Sequence, residues 1–481
     1  MAFIRKVKTA SGATAVQIAY KSSGRIVKIE HLGSAHTKEE VEILISLAKE
    51  RLYKGQQSLF TDPKSSFRVG LKQSFSGLLF NALKEQYQQL GFSKLTDEDF
   101  ACLCVARIVE PTSKLDSIRV LSDLGIGDLN KDRLYRCLGR VISQDYRATI
   151  SQVCFNYAKS QGLNLVLYDV TTLYFEVQQE DDYRQSGLSK ERRLEPQIVI
   201  GLLVNQDGFP LGLQSFEGKT AETKTIIPVI EEFRSQHHLD SLTVVADAGM
   251  LSLKNLEALS QAGYNYVVGS RLSKIPYDIA EYQKNQPLSD NQIVEASQNN
   301  HRIIYQYKAK RAALDIRNIE KQVIKAQRIA SGQSSMKKNR FLTLQTGGKR
   351  LNQKLIDKAY ALAGIKGYVT NLDTPPLKVI SAYHQLFEVE ASFRMAKSDL
   401  KARPIFHHKR EAIEAHLTVV FASLAVSRRI EWLTGISIKR FIRNLRPIRS
   451  GTVTLNGKEY TAEAEVPKDI HRLIQKLQSG H

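Results

Sequence analysis

The chain has 481 residues, enough for about three domains. Apolar residues make up 42% and charged residues 25%, which excludes disorder, collagen or a disulfide scaffold as a whole-chain description. Against 49 Asp and Glu stand 69 Lys and Arg, a net charge of +20, and this excess points to a polyanionic partner, nucleic acid first and an anionic membrane second.

Taken in chain order, residues 1 to about 36 alternate apolar and polar around Ser-Gly turns and predict a small antiparallel sheet. KEEVEILISLAKERLY follows a Thr37 cap with helical spacing, so that 1–60 reads as sheet plus helix, and GQQSLFTDPKSSF reads as a linker. Residues 72–161 read as mostly helical and as a possible DNA-binding region; within them Thr96 is expected to open DEDFACLCVARIVE, with acids in the first turn where the helix dipole favours them. From Asn164 the texture changes. LVLYDVTTLYFE predicts a strand, QIVIGLLVNQDGFPLGLQSFEG two more turning at Asp207-Gly208, and helix and strand alternate from there to YNYVVGSRL. This predicts an α/β core with a mixed sheet over 162–274.

Residues 275–360 interrupt that rhythm with a basic insertion. Between His301 and Lys358 there are fifteen Lys and Arg against three acids, more than half of the net charge in under an eighth of the chain. The α/β texture resumes over 361–425 with GYVTNL and a long helix from about Val379 to Ser398, and 426–481 carries a second basic run, IKRFIRNLRPIRS.

No apolar run approaches the roughly 18–20 residues of a membrane span, and the longest, Leu417 to Val426, is about half that. MAFIRKVKTASG has no apolar signal region, and four cysteines are too few and unevenly spaced for a disulfide framework, so a reducing cytoplasm is expected. The Cys102-x-Cys104 pair lacks partners at zinc-site intervals. Gly218-Lys219-Thr220 invites a phosphate-loop reading, but Gly212 leaves five intervening residues where four are needed.

Asp169 and Asp247 each stand at the expected end of an apolar strand, the edge where α/β folds place ligands, although Asp also commonly turns a strand end. A third acid, Glu390, lies in YHQLFEVEASFRMAKSDL, where seven-residue spacing puts Tyr383, Glu390 and Lys397 on one helical face with Arg394 one turn beyond Glu390. Such a face suits metal ligation and phosphate binding, and equally a solvated face with paired charges. His407, His408 and His416 read as structural.

Four blocks in order, LVLYDVTTLYFE, FPLGLQSFEGKTAETKTIIPVI, VVADAGMLSLKNLEAL and YHQLFEVEASFRMAKSDLKARPIFHH, resemble the DDE transposases of bacterial insertion sequences, and more narrowly the branch with the Tyr-Arg-Glu-Lys signature. The resemblance runs from about Leu165 to His416. It implies an RNase H-like mixed sheet flanked by helices, with Asp169, Asp247 and Glu390 as catalytic and metal-binding carboxylates and Tyr383, Arg394 and Lys397 as DNA phosphate contacts. It further implies two Mg²⁺ ions replaceable by Mn²⁺, double-stranded DNA ends and target as substrates, a homodimer on DNA, and no membrane. Two departures stand out: the signature Arg position is Leu386, and relatives often have Asn where this chain has Lys219. A stand-alone nuclease and a catalytically inactive DNA-binding derivative are the alternatives.

Overall fold

The computed structural model describes residues 2–9, 12–22, 24–52, 69–176, 179–187, 195–239, 242–249, 252–270, 272, 276–298, 301–335, 339–345, 348–455 and 458–478. The expected linker at 55–67 lies outside the described residues. Among them, no helix is long and apolar enough to cross a membrane.

Strands β1 (Ala2–Lys8), β2 (Thr14–Ser22) and β3 (Arg25–Ala35) form an antiparallel sheet in that order. Helix α1 (Lys38–Leu52) covers one face, burying Val16, Ile18, Leu44 and Ala48 in a core of its own. Thr37 caps α1 reciprocally: its hydroxyl accepts from the Glu40 amide at 3.2 Å, and Glu40 accepts from the Thr37 amide at 3.3 Å.

The next stretch opens with a strand, β4 (Val69–Phe75), where helix was expected. The reason is tertiary, because β4 pairs with a strand from the far end of the chain. Helices α2 (Gly77–Gln89), α3 (Glu98–Val109), α4 (Ser117–Asp123), α5 (Lys131–Ser143) and α6 (Tyr146–Ser160) follow. Asp97 rather than Thr96 caps α3, its carboxylate accepting from the Phe100 amide at 3.1 Å, while Thr96 closes the preceding short 3₁₀ turn. Helix α3 is buried from Asp99 to Val109, and its two cysteines are free thiols in the core.

The central layer begins with β5 (Val166–Tyr174), β6 (Gln197–Asn205) and β7 (Pro210–Glu217), paired antiparallel. The turn between β6 and β7 is built by Asn205, whose side-chain oxygen accepts from the amides of Asp207 and Phe209, and by Gly208 at φ 78°. Then come α7 (Ile226–His237), β8 (Thr243–Ala246), α8 (Leu253–Gln261) and β9 (Asn265–Ser270), with β8 parallel to both β5 and β9. The five strands lie in the order β7-β6-β5-β8-β9, an RNase H-like mixed sheet flanked by helices.

The basic stretch does not stand wholly apart. After α9 (Tyr277–Asn285), strands β10 (Ile293–Gln298) and β11 (His301–Tyr307) extend the same sheet through β14 (Ile365–Thr370), giving eight strands in the order β10-β11-β14-β9-β8-β5-β6-β7. Between β11 and β14 run α10 (Ala309–Ala330), the hairpin β12 (Leu342–Gln345) and β13 (Gly348–Leu351), and α11 (Gln353–Ala361). These share a separate small core of Ile319, Ala326, Phe341, Ile356 and Ala359.

The single helix expected over 379–398 is three pieces: α12 (Pro376–His384), α13 (Leu386–Arg394) and one π-helical turn over Met395–Asp399. Helix α14 (Arg410–Thr434) then runs through the middle of the molecule and packs on α3 and α5, so the boundary expected at 425/426 falls inside a continuous helix. Helix α15 (Ile438–Leu445), strands β15 (Ser450–Leu455) and β16 (Lys458–Ala462) and helix α16 (Lys468–Gln478) complete the chain, and β15 lies between β16 and β4. The C-terminal segment is thereby stitched to residues 69–161.

Candidate active site

Asp169 does not end its strand; it is the fourth of nine residues in β5. It does stand where the parallel neighbour stops. The register pairs Leu167 with Val245, and β8 ends at Ala246. Continued two residues beyond the paired segment, that register would bring Asp169 level with Asp247. An early-ending strand therefore opens the carboxyl edge beside a strand that continues, and both carboxylates are delivered to that gap.

Helix α13 lies against β5 and supplies the third acid. Asp169, Val170 and Thr171 on one side and Glu390, Phe393, Arg394, Lys397, Ser398 and Arg403 on the other line a cleft of about 400 Å³. Lys397, in the π turn, donates to the Thr171 hydroxyl, so the wider turn directs its ammonium onto β5. Arg394 is exposed, with its guanidinium 5.6 Å from the Phe387 ring, and Arg403 lies 5.3 Å over Tyr174.

Tyr383 joins Asp247 to the helical side. Its hydroxyl donates to Asp247 Oδ1 at 2.6 Å, and burial followed by that hydrogen bond and charge holds the phenol well above its usual pKa. The proton of Tyr383 thus stays on the phenol oxygen and orients the carboxylate. Gly269 in β9 makes the room: a Cβ there would come within 2.6 Å of the Tyr383 oxygen. Lys366, from β14, places its ammonium 4.1 Å over the Tyr383 ring.

The expected residues therefore gather along one edge, with Asp169, Glu390, Arg394 and Lys397 in one cleft and Asp247 beside it held by Tyr383. Leu386 is buried in the main core, so no charged contact originates at that position. Residue patterns missed Thr171, Arg403 and Lys366, because each acts through neighbours distant in sequence. The three histidines of 407–416 sit apart from the acids: His416 is buried, with Nδ1 3.2 Å from Lys114 Nζ and Nε2 3.2 Å from the Ala402 carbonyl.

Residues 160–426, more than half of the chain, match the transposase DDE domain family. The chain belongs to that family. Proteins of the transposase DDE domain family act on DNA and generally use divalent metal ions. A solved structure, the cryo-EM structure of a piggyBac transposase synaptic complex with hairpin DNA, is similar over 84% of this chain and 74% of that one, with a TM-score of 0.41 and 11% identity. No curated protein matches the sequence.

The donor chemistry of the cleft suits a hard cation, since its acids, Asp169 and Glu390, are carboxylates and no thiol lines it. Among the described residues, no three His, Cys, Asp or Glu side chains close around one point.

Proposed function

We propose that this DDE transposase cuts DNA at the ends of a bacterial insertion sequence of the Tyr-Arg-Glu-Lys branch and joins those ends to target DNA, with Asp169, Asp247 and Glu390 as its metal-binding carboxylates. The observation that carries this reading is the cleft that holds Asp169 and Glu390 together with Arg394, Lys397 and Arg403, with Asp247 hydrogen-bonded to Tyr383 on the same helical side.

Phosphodiester cleavage by water or a 3′-hydroxyl develops negative charge on the attacking and leaving oxygens. Two Mg²⁺ ions, or Mn²⁺ in their place, would lower the pKa of the attacking hydroxyl and neutralise that charge when bound by the three acids. The chain's own groups hold the substrate. Lys397, fixed on Thr171, offers a point charge to a backbone phosphate beside Asp169, and Arg394 and Arg403 offer planar donor forks at the rim of the same cleft. Tyr383 keeps Asp247 in one rotamer, and Glu390 is exposed and free of salt bridges among the described residues. The basic stretch between β11 and β14 adds sequence-independent affinity for the backbone. The working form is a homodimer bridging two DNA ends in the cytoplasm.

Labelled duplex carrying the element's own ends, incubated with Mg²⁺ or Mn²⁺ and with EDTA, tests the reading directly. Metal-dependent nicking at the end junction is expected, and Asp247→Ala should remove it while DNA binding persists. Salt-sensitive binding without cleavage under either metal would instead make the chain a DNA-binding derivative. Cleavage without strand transfer would make it a nuclease.

A further inference from the structure

The carboxyl edge carries a second group of cations that the three acids and their cleft do not explain. Lys366 is the second residue of β14, and its neighbour Gly367 pairs with Ser270, the last residue of β9. The antiparallel direction of β14 therefore brings its beginning to the edge where β5, β8 and β9 point their ends. The Lys366 ammonium lies 4.1 Å over the Tyr383 ring and 5.7 Å over Tyr368, and it makes no salt bridge to an acid among the described residues. Arg311, from the first turn of α10, has a single acidic partner among the described residues, Asp315 at 3.6 Å. Burial lowers the Lys366 pKa first, the charges of Arg311 and Lys308 lower it further, and Asp247 and Glu390 oppose them. Three cations thus stand close enough to repel one another, next to the carboxylates that would hold the metal and with no salt bridge from Lys366 to either of them among the described residues. That arrangement is costly for the protein alone and favourable once a polyanion lies across it.

We propose that Lys366, backed by Arg311 and Lys308, is a second phosphate-binding wall of the active site, holding a DNA phosphate on the Asp247 side while Lys397, Arg394 and Arg403 hold the backbone on the Asp169 side. The inference rests on the DNA-cutting reading above and deepens it. Strand β14 is three positions from β5 in the sheet, so the two walls are about 14 Å apart at the backbone, with the acids between them. A strand crossing the edge would be gripped on both sides of the bond that is cut. The aromatic faces of Tyr383 and Tyr368 hold the ammonium without neutralising it, which leaves its charge available to the phosphate.

The test measures binding of the full chain to a labelled 40-base-pair duplex in EDTA, across a KCl series, for the wild type, Lys366→Met and Lys366→Arg. Loss of one phosphate contact lowers the slope of log K against log salt by about 0.9 and the affinity by about five- to tenfold at 0.1 M salt. Lys366→Met is expected to show both changes, and Lys366→Arg to restore the slope. A lysine that only packs on Tyr383 would leave the slope at its wild-type value, and that result overturns the proposal. Should Lys366→Met fail to fold, Arg311→Gln on the half-exposed face of α10 carries the test, and an unchanged slope again overturns it. Absence of DNA binding by the wild type would instead sink the transposase reading, and the proposal with it.

Discussion

Asp123 and Asp247 carry the same carboxylate into opposite surroundings. Asp123 ends α4 in the packed helical half, where Arg446 Nη2 binds Oδ2 at 2.9 Å and Arg449 Nη1 binds Oδ1 at 2.9 Å. Arg446 also reaches Glu110 at 2.8 Å, and Arg119 binds Glu110 and Asp116. Burial pushes the Asp123 carboxyl up, and the charges and hydrogen bonds of Arg449 and Arg446 more than reverse it, leaving the acid below its usual range. Asp247 is exposed at the sheet edge, is oriented by a neutral phenol, and has no salt bridge among the described residues. In one region Arg and Asp neutralise each other to join the C-terminal segment to α3 and α4. In the other, acids and bases line one cleft at the sheet edge, and Asp247 beside the helical side takes its hydrogen bond from a phenol rather than from a cation. Asp or Arg by itself therefore says little about function; what distinguishes Asp123 from Asp247 is whether the fold has already paired its charge with a cation.

Exchanging acids in the two regions should separate rate from stability. Glu390→Gln is expected to slow metal-dependent cleavage on the order of 10³-fold, several kcal/mol of transition-state stabilisation, while Tm stays within about 1–2 °C. Asp123→Ala leaves Arg446 and Arg449 facing each other in the core and is expected to cost about 3–5 kcal/mol, read as a fall in Tm on the order of 10 °C by calorimetry. A large Tm loss in the first variant, or none in the second, would break the comparison.

Gly269→Ala sharpens it at the edge itself. The new methyl must displace the buried Tyr383 ring, so the bond to Asp247 is lost, with about 1–3 kcal/mol less stability and cleavage about 10²-fold slower. Normal cleavage by this variant would remove Tyr383 from any positioning role.

The smallest effect concerns pH. Burial lowers His237 to about 4, with the neighbouring His238 charge adding to it, and burial with the charges of Lys114 and Arg107 lowers His407 to about 4; burial and the same two charges hold His416 well below its usual value. Each folded value is depressed below the unfolded value near 6.5, so the stability they contribute is complete above that value and is lost as pH falls from about 6.5 towards 4. A decline in Tm of a few degrees between pH 7 and 4.5 is expected in thermal melts. A flat profile would mean that these rings titrate in the fold as they do in the unfolded chain.

The strand and helix texture of 162–274, the capped α1, and the order of the acids were legible because each rests on local periodicity. The break at Gln385 and the π turn were not legible, since the sequence there keeps a continuous helical pattern; the break nonetheless leaves Tyr383 on Asp247, and the π turn sets Lys397 on Thr171. The strand β4 was hidden for another reason. VGLKQSF is seven residues of weak alternation, and its partner, SGTVTL, arrives nearly 380 residues later.

By itself, the sequence determined the chemistry on offer: three carboxylates in order, a surplus of cations, an apolar framework of alternating strand and helix, and no apolar run of membrane-spanning length. Only the tertiary structure decided which charges meet. Parallel register sets Asp169 beside Asp247, early termination of β8 opens the edge between them, and the direction of β14 brings Lys366 to the same edge. Periodicity is a property of neighbours along the chain, whereas a site of this kind is a property of strand order and register, which no local pattern contains.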